Sequence, residues 1–204
     1  FEKINKIIKE VENNSYFRKE IAILINKSRR NYEVDLPLNF GRRIVWYVLI
    51  RVYKPNLVVE TGTEKGIGSL IILEALKKNK KGKLITIDID PYSGSFLEHL
   101  KTVNLVRKNG DSLKILKEIK KIDFFIHDSN HSIIHEKKEF ELISNRLTKG
   151  AIVLSDNSHC SNALFNWSKK NEMDFIFIKE EPENHFYNGG GIGIAIKKSN
   201  RREF

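Results

Sequence analysis

The sequence predicts one α/β domain built on a mostly parallel sheet. From residue 56 onward, apolar β-branched runs alternate with stretches of helical periodicity, as expected for parallel strands joined by helices. The first run, 57–59, ends at an acid and opens into the glycine-rich turn 60–68. The last two runs, 174–179 and 192–197, are separated by a glycine-rich loop with no room for a helix. They predict a hairpin, and therefore one antiparallel strand.

Three helices are predicted ahead of the sheet. Apolar residues at helical spacing predict two helices within residues 1–30, with a break at 13–15, where asparagine and serine suit an N-cap. A third helix is predicted at 39–53 and ends before Pro55, because proline disfavours helix in the preceding residue. We therefore expect an N-terminal helical cap region at residues 1–55 and a core at residues 56–204, within one compact domain.

The core is predicted to hold seven strands and five connecting helices. The predicted strands are 57–60, 83–88, 104–108, 122–127, 151–155, 174–179 and 192–197. The predicted helices are 66–78, 94–101, 111–120, 131–147 and 161–170.

Composition narrows the class of protein. With 204 residues and 40% hydrophobic side chains, the chain can bury a core, and no apolar run reaches the ~18 residues that span a bilayer. Cys160 is the single cysteine, which excludes an internal disulfide and favours a reducing compartment such as the cytoplasm. The chain begins at Phe1 rather than methionine, which leaves an upstream segment open.

The formal net charge of +10 favours an anionic partner or a lysine-rich solvated surface. We prefer the solvated surface, because the lysines are scattered and no basic stripe interleaved with aromatic residues occurs. The same interpretation, a solvated helix face rather than a phosphate site, applies to Arg29, Arg30, Arg42 and Arg43. A basic nucleic-acid-binding module stays as an alternative.

The turn 60–68 suits a positively charged ligand better than a phosphate. Its glycines follow the order G-x-x-x-G-x-G, unlike a dinucleotide fingerprint or a P-loop. Carboxylates at Glu60 and Glu64 repel pyrophosphate but suit the sulfonium and ammonium groups of S-adenosylmethionine (SAM). A purely structural turn is the alternative. With its acid before a glycine-rich turn, Glu60-Thr61-Gly62-Thr63, the sequence resembles the class I SAM-dependent methyltransferases.

The resemblance implies a Rossmann-like class I methyltransferase fold with a seven-stranded, mostly parallel sheet, a C-terminal antiparallel hairpin strand and N-terminal helices. It also implies that Asp88, at the end of the second strand, accepts the ribose hydroxyls, with Asp90 as the fallback. Asp111 is expected to contact adenine or to cap the next helix. The other predicted cofactor-binding residues are Glu60, Gly62, Thr63, Gly66, Ser69 and Asp128.

Acids also end the fourth and fifth strands. Asp128 follows one strand and Asp156-Asn157 follows the other, so adjacent parallel strands would place them on one rim of the cleft. An all-oxygen set suits Mg²⁺ or Ca²⁺ rather than zinc. The set resembles the metal triad of the catechol-type and cephalosporin-hydroxylase-like bacterial O-methyltransferases, which implies Mg²⁺ or another divalent cation here. The alternative is that the acids cap helices.

His131 lies three residues past Asp128, where catechol-type enzymes carry a lysine general base. Because histidine titrates near neutrality, His131 is predicted to be the catalytic base. A structural histidine beside the site is the alternative. A zinc site is disfavoured, because a strand histidine and helical histidines would have to converge; its candidate ligands are His127, His131, His135, Asp128 and His159.

The predicted function is SAM-dependent methylation, metal-assisted and directed at a hydroxyl of a small molecule. The substrate expected is a sugar, a nucleotide-sugar or a vicinal diol, and the N-terminal helices and the loop 183–191 are expected to cover the cleft. The alternatives are a metal-independent N-methyltransferase, a SAM-binding protein without catalysis and a nucleic-acid-binding protein. A homo-oligomer is left open, and no membrane partner is expected.

Overall fold

The computed structural model describes residues 1–31, 40–181 and 189–198. In this part of the chain the strands are β1 (Leu57–Thr61), β2 (Lys83–Asp88), β3 (Leu105–Asn109), β4 (Ile122–His127), β5 (Leu147–Ser155), β6 (Asp174–Lys179) and β7 (Gly191–Ile196). The α-helices are α1 (Glu2–Glu12), α2 (Ser15–Lys27), α3 (Arg43–Tyr53), α4 (Ile67–Asn79), α5 (Ser112–Ile115), α6 (Ile133–Ile143) and α7 (Ala163–Lys170).

The strands form one seven-stranded sheet in the order β3-β2-β1-β4-β5-β7-β6. The first five are parallel to their neighbours, and β7 runs antiparallel to both β5 and β6. This confirms the predicted fold class, including the C-terminal hairpin. Chain order reverses between β1 and β4, and ligands of open α/β sheets bind at such a switch point, beyond the carboxyl ends of the strands.

The central strands are buried on both faces, which is why their sequences are continuous apolar runs. Successive side chains alternate between two hydrophobic cores: Val58 faces the core that holds α1–α4, and Val59 faces the core that holds α6 and α7. Phe124 and Phe125 in β4 alternate in the same way. The period of two follows from strand geometry.

The N-terminal helices share the first of these cores. Trp46, Tyr47 and Ile50 of α3 are fully buried in it, against α4 and the sheet. On the outer side of α3, Glu10 accepts hydrogen bonds from Tyr47 (2.6 Å) and from the Arg51 Nε (2.8 Å). The division into a cap at 1–55 and a core at 56–204 stays a prediction.

Several predicted helices are shorter in the structure, and the segment 94–101 differs most from its prediction. The segment 94–101 contains a single 3₁₀ turn, Ser95–Leu97, because Phe96 and Leu97 are anchored in the first core. The backbone N–H of Phe96 donates to the Lys65 carbonyl instead of continuing a helix. Among the helices of the described ranges, none combines the length and the apolar character that a membrane span needs.

Candidate active site

A cavity of about 560 Å³ opens at the carboxyl ends of β1, β2 and β4. Four predicted cofactor-binding residues line it: Gly62, Asp88, Asp111 and Asp128. A second cavity, of about 420 Å³, lies between α2 and α4 and contains none of the predicted site residues. The first cavity is therefore the candidate cofactor site.

Asp88 ties the glycine turn to the end of β2. Its Oδ2 accepts hydrogen bonds from the backbone N–H groups of Thr63 (2.8 Å) and Glu64 (2.9 Å), and its Oδ1 accepts from the Asp90 N–H (2.9 Å). A carboxylate offers about four lone-pair sites, so acceptor capacity remains for a ligand in the cavity. Asp90 lines the same cavity, and its Oδ1 accepts from the Tyr92 N–H.

The turn requires glycines because a side chain at these positions would collide with neighbouring atoms. A Cβ at Gly62 would lie 2.0 Å from the Asp128 carbonyl oxygen, and one at Gly66 would lie 2.7 Å from the Leu97 side chain. At Gly68 a Cβ would lie 2.7 Å from both Glu60 and Trp46. The order G-x-x-x-G-x-G therefore reflects close packing of the turn against β4, the 3₁₀ turn and α3.

Three other predicted cofactor residues lie beneath this turn instead of lining the cavity. Glu60 is 1% exposed, and its Oε2 accepts hydrogen bonds from Ser69 and from Thr86 (2.7 Å). Thr63 and Thr86 share a hydroxyl–hydroxyl hydrogen bond of 2.6 Å. Burial raises the pKa of Glu60 to about 7, although the two hydroxyl donors oppose this. Glu60, Thr63 and Ser69 thus support the turn from below.

Asp111 takes one of its two expected roles, the helix cap, and its contact with adenine stays a prediction. It is the N-cap of α5, with its side chain accepting from the Leu113 N–H at 2.9 Å, and it lines the cavity.

Sequence reasoning missed a buried acid beneath the cavity. Glu139 is fully buried and accepts hydrogen bonds from a set of side chains on four segments: Thr61, Ser112, His127, Ser129 and His135. Burial alone would raise the pKa of Glu139, but the hydrogen bonds from His127 and His135 lower it well below its usual range. The one local signal was the four-residue spacing of His135 and Glu139 on α6.

The predicted metal-binding residues are brought together, but the guanidinium of Arg42 binds two of them. The pairing of His127 with Ser155 places Asp128 beside Asp156. Arg42, from the turn before α3, donates from Nε and Nη2 to both carboxylate oxygens of Asp156, at 2.8 and 2.6 Å. Its Nη2 also donates to the Asn157 Oδ1, at 3.0 Å.

This arrangement does not fit a divalent ion on the predicted set, because Arg42 engages both Asp156 oxygens and the one amide oxygen. Within the described ranges no three or more His, Cys, Asp or Glu side chains are arranged as a metal site, which concerns the zinc alternative and not a set of two acids and an amide. Burial lowers the pKa of Arg42, but the Asp156 and Glu180 carboxylates outweigh it and raise the pKa above its usual value. Arg42 is thus a fixed charge of the cleft, not part of a solvated helix face.

Asp128 borders both the cavity and this ion pair. Burial and the adjacent Asp156 carboxylate raise the pKa of Asp128 to about 9. Two neighbouring carboxyl groups with one guanidinium thus retain a proton at neutral pH.

His131 lies at the rim of the same cluster, with 37% of its side chain exposed. Because Arg42 donates to the Asn157 Oδ1, the amide nitrogen of Asn157 faces His131 and donates to its Nε2 (3.0 Å). This network assigns the ring hydrogen to Nδ1. Burial lowers the pKa of His131, and the nearby His127 lowers it further by a smaller amount. The ring is therefore neutral at pH 7 and can accept a proton.

Comparison with known proteins agrees with this architecture. Residues 59–158 match the family described as a methyltransferase domain. No curated protein matches the chain. The structure of the O-methyltransferase TomG from Streptomyces achromogenes, involved in tomaymycin synthesis and solved with SAM, has a TM-score of 0.65 at 18% identity, covering 88% of this chain and 90% of TomG.

Two further solved structures share the fold. The O-methyltransferase from Bacillus cereus, in complex with S-adenosylhomocysteine (SAH), has a TM-score of 0.67 at 14% identity, covering 88% of this chain and 91% of that one. The SAH-bound Podospora anserina methyltransferase PaMTH1 has a TM-score of 0.65 at 14% identity, covering 96% and 95%. Together with the domain match, these structures confirm the resemblance drawn from the sequence.

Proposed function

We propose that this chain, a class I SAM-dependent methyltransferase by its domain and its fold, transfers the methyl group of SAM to a hydroxyl of a small molecule. The observation that carries the proposal is the cavity at the switch point, where acids from three strand ends converge behind a glycine turn with no room for side chains. The acids of the cavity disfavour the pyrophosphate of a dinucleotide. The ammonium group of SAM, bound beside Asp128, would lower the pKa of that carboxyl group and favour its ionised form.

In this proposal Asp88 accepts the ribose hydroxyls, since it is fixed by the turn and faces the cavity. Asp111 lies at the adenine end, and Asp128 lies at the methionine end, next to Gly62. Glu60 acts indirectly by shaping the turn. SAH bound in the fold relatives supports the choice of cofactor.

The acceptor side is formed by Asp128, His131, Asp156 and Asn157 with Arg42. The methyl group moves from sulfur to the acceptor oxygen, and the sulfonium charge disappears as the new bond forms. His131 accepts the hydroxyl proton at Nε2, where the acceptor hydroxyl takes the place of the Asn157 amide donor. Holding cofactor and acceptor in line supplies up to about 7–11 kcal/mol of the barrier reduction where alignment is good. Mg²⁺ takes no part in this proposed step, since Arg42 holds two of its three predicted ligands.

A sugar-type hydroxyl or a vicinal diol is the proposed acceptor. The polar and partly exposed side chains at the rim can hydrogen-bond to neighbouring hydroxyls, and a neutral histidine is suited to deprotonating one of them.

The cofactor assignment is tested by replacing Asp88. We expect Asp88→Ala to weaken SAH binding, measured by calorimetry, by roughly 10- to 100-fold, because hydrogen bonds to a charged group contribute about 1.5–3 kcal/mol. Asp90→Ala, at the fallback position in the same cavity, should change the affinity less than threefold, and a larger loss there than in Asp88→Ala would assign the ribose contact to Asp90. Binding of NAD without binding of SAH would end the methyltransferase proposal.

The base assignment is tested by replacing His131. With a panel of sugar and diol acceptors, His131→Ala should lower turnover, measured as SAH release, by roughly 10²- to 10⁴-fold and leave SAH affinity unchanged. Since a base must be unprotonated and the pKa of His131 is lowered, wild-type turnover should fall only below about pH 6.5. The exposed His159 provides the control variant His159→Ala. An unchanged pH profile in His131→Ala would assign His131 a structural role.

A further inference from the structure

Arg42 makes a set of contacts that a solvent-facing arginine does not make. It lies just before α3, 114 residues from Asp156 in sequence, yet its guanidinium donates hydrogen bonds to both oxygens of that carboxylate. The Asp156 side chain is 1% exposed and the Arg42 side chain 23%. Two parallel N–H···O bonds of this kind give geometric specificity as well as energy.

A second acid holds the guanidinium from another direction. The Nη1 of Arg42 donates to the Glu180 Oε2 at 3.2 Å, just beyond the end of β6. With the contact to the Asn157 amide oxygen, the guanidinium is bound by three side chains on two segments, which follow β5 and β6, the two strands on either side of β7. Its position is therefore determined by the fold and not by one flexible pair.

The ligands of Arg42 include two of the three oxygen donors that the sequence assigns to a divalent cation. We infer that Arg42 is the resident cation of the acceptor site, and that it takes the place of Mg²⁺ at Asp156 and Asn157. The proposed methyl transfer then proceeds without a divalent ion. The catalytic part of this inference rests on the proposed function, whereas the cation part can be tested without it.

The charge of Arg42 accounts for the exclusion of the metal. A guanidinium remains protonated throughout the working pH range. A divalent ion bound to the same carboxylate would lie within about 5 Å of it, and repulsion at that distance costs about tenfold in affinity even at the dielectric constant of water. The cost is greater in a partly buried cleft, because the interaction is screened less there.

The same charge can serve the acceptor. A guanidinium has five N–H groups, and the contacts with Asp156, Asn157 and Glu180 use four of them. The remaining Nη1–H can donate to the acceptor oxygen as the O–CH₃ bond forms, the S–CH₃ bond breaks and the hydroxyl proton passes to His131. Arg42 would thus orient the oxygen and stabilise its developing charge.

The test uses Mn²⁺ alone as the probe. The protein, with its full chain, is first treated with a chelator and freed of it, and the free Mn²⁺ that remains after mixing is measured by its electron paramagnetic resonance signal. The wild-type protein should leave the signal of about 50–100 µM Mn²⁺ unchanged. This concentration is near the dissociation constant expected of a weak site. Arg42→Met, which keeps the length of the side chain without its charge, should bind Mn²⁺ about tenfold more tightly or better. Adding Asp156→Ala to Arg42→Met should abolish that binding.

Two controls keep the result specific. Arg42→Lys retains the charge and should still exclude Mn²⁺, whereas Lys54→Asn removes a charge from the exposed end of α3 and should behave as the wild type. Asparagine is chosen because Lys54 has a φ of 50°. If Arg42→Met does not fold, the wild-type measurement alone decides: stoichiometric Mn²⁺ binding by the wild-type protein would overturn the inference. Failure of SAH to bind would instead count against the proposed function.

Discussion

Replacing Gly62 with alanine is expected to destabilise the protein by about 3–5 kcal/mol and to remove most SAH binding. Gly62 has a φ of 90°, a conformation that alanine adopts only with strain of about 1–3 kcal/mol. A Cβ there would also lie 2.0 Å from the Asp128 carbonyl oxygen and 2.8 Å from the Ser129 nitrogen. Both are backbone atoms, so the turn and the end of β4 would have to separate, at a further cost of about 1–3 kcal/mol.

The two contributions can be separated with Gly150. It has a φ of 72°, but nothing lies within 4 Å of a Cβ built on it. Gly150→Ala should therefore cost only about 1–2 kcal/mol, from the left-handed conformation alone, and should leave SAH affinity unchanged. Thermal unfolding and calorimetry measure both effects, and the Gly62 variant should unfold roughly 10 °C lower than the wild type. Equal losses of stability in the two variants would contradict this prediction, because they would show that the contact between the new Cβ and the Asp128 carbonyl costs little.

Replacing Glu139 with glutamine is expected to have an effect of similar size on stability, about 3 kcal/mol or more, by removing one partner of a buried charged network. Glu139 is fully buried and joins β1, β4, the start of α5 and α6. An amide presents an NH₂ group to side chains that are themselves donors, so at least one hydrogen bond becomes a donor–donor contact. Glu141→Gln, at an exposed position of α6, is the matched control and should be neutral.

The pH dependence of this effect has a defined sign. The pKa of Glu139 is lower in the folded protein than its ordinary value of 4.5, so its contribution is full above about pH 4.5 and is lost as the pH falls below that value. The pKa of His135 is raised from 6.5, chiefly by the hydrogen bond to Glu139, so its contribution is present below pH 6.5 and is lost as the pH rises through the raised value. Urea unfolding from pH 3 to 8 should show both losses in the wild-type protein. A Glu139→Gln protein with the same pH profile as the wild type would contradict this network.

The sequence by itself determined the fold and located two of the acids that line the candidate cofactor cavity. Continuous apolar runs alternating with helical patterns, and a final hairpin without room for a helix, are local signals, and they predicted the seven-stranded sheet. Asp88 and Asp111 were found because the position after a parallel strand always lies at the same edge of the sheet. Both face the cavity.

Other features depended on packing. Glu60 lies near the end of β1 as Asp88 lies at the end of β2, yet the Glu60 side chain lies beneath Gly68 and bonds to Ser69, because the turn closes over it. The segment 94–101 has helical composition, but burial of Phe96 and Leu97 outweighs that local preference.

The acceptor side was decided by the tertiary structure alone. The acids at 128 and 156 and the amide at 157 were visible in the sequence, and their pattern predicted a divalent cation. Arg42 lies 114 residues from Asp156, in a segment whose local pattern favoured a solvated helix face. Periodicity and motif spacing describe neighbours along the chain, whereas an ion pair across the cleft depends on where α3 packs against the sheet. Only that packing shows that a guanidinium, and not an open cleft, faces the carboxylates.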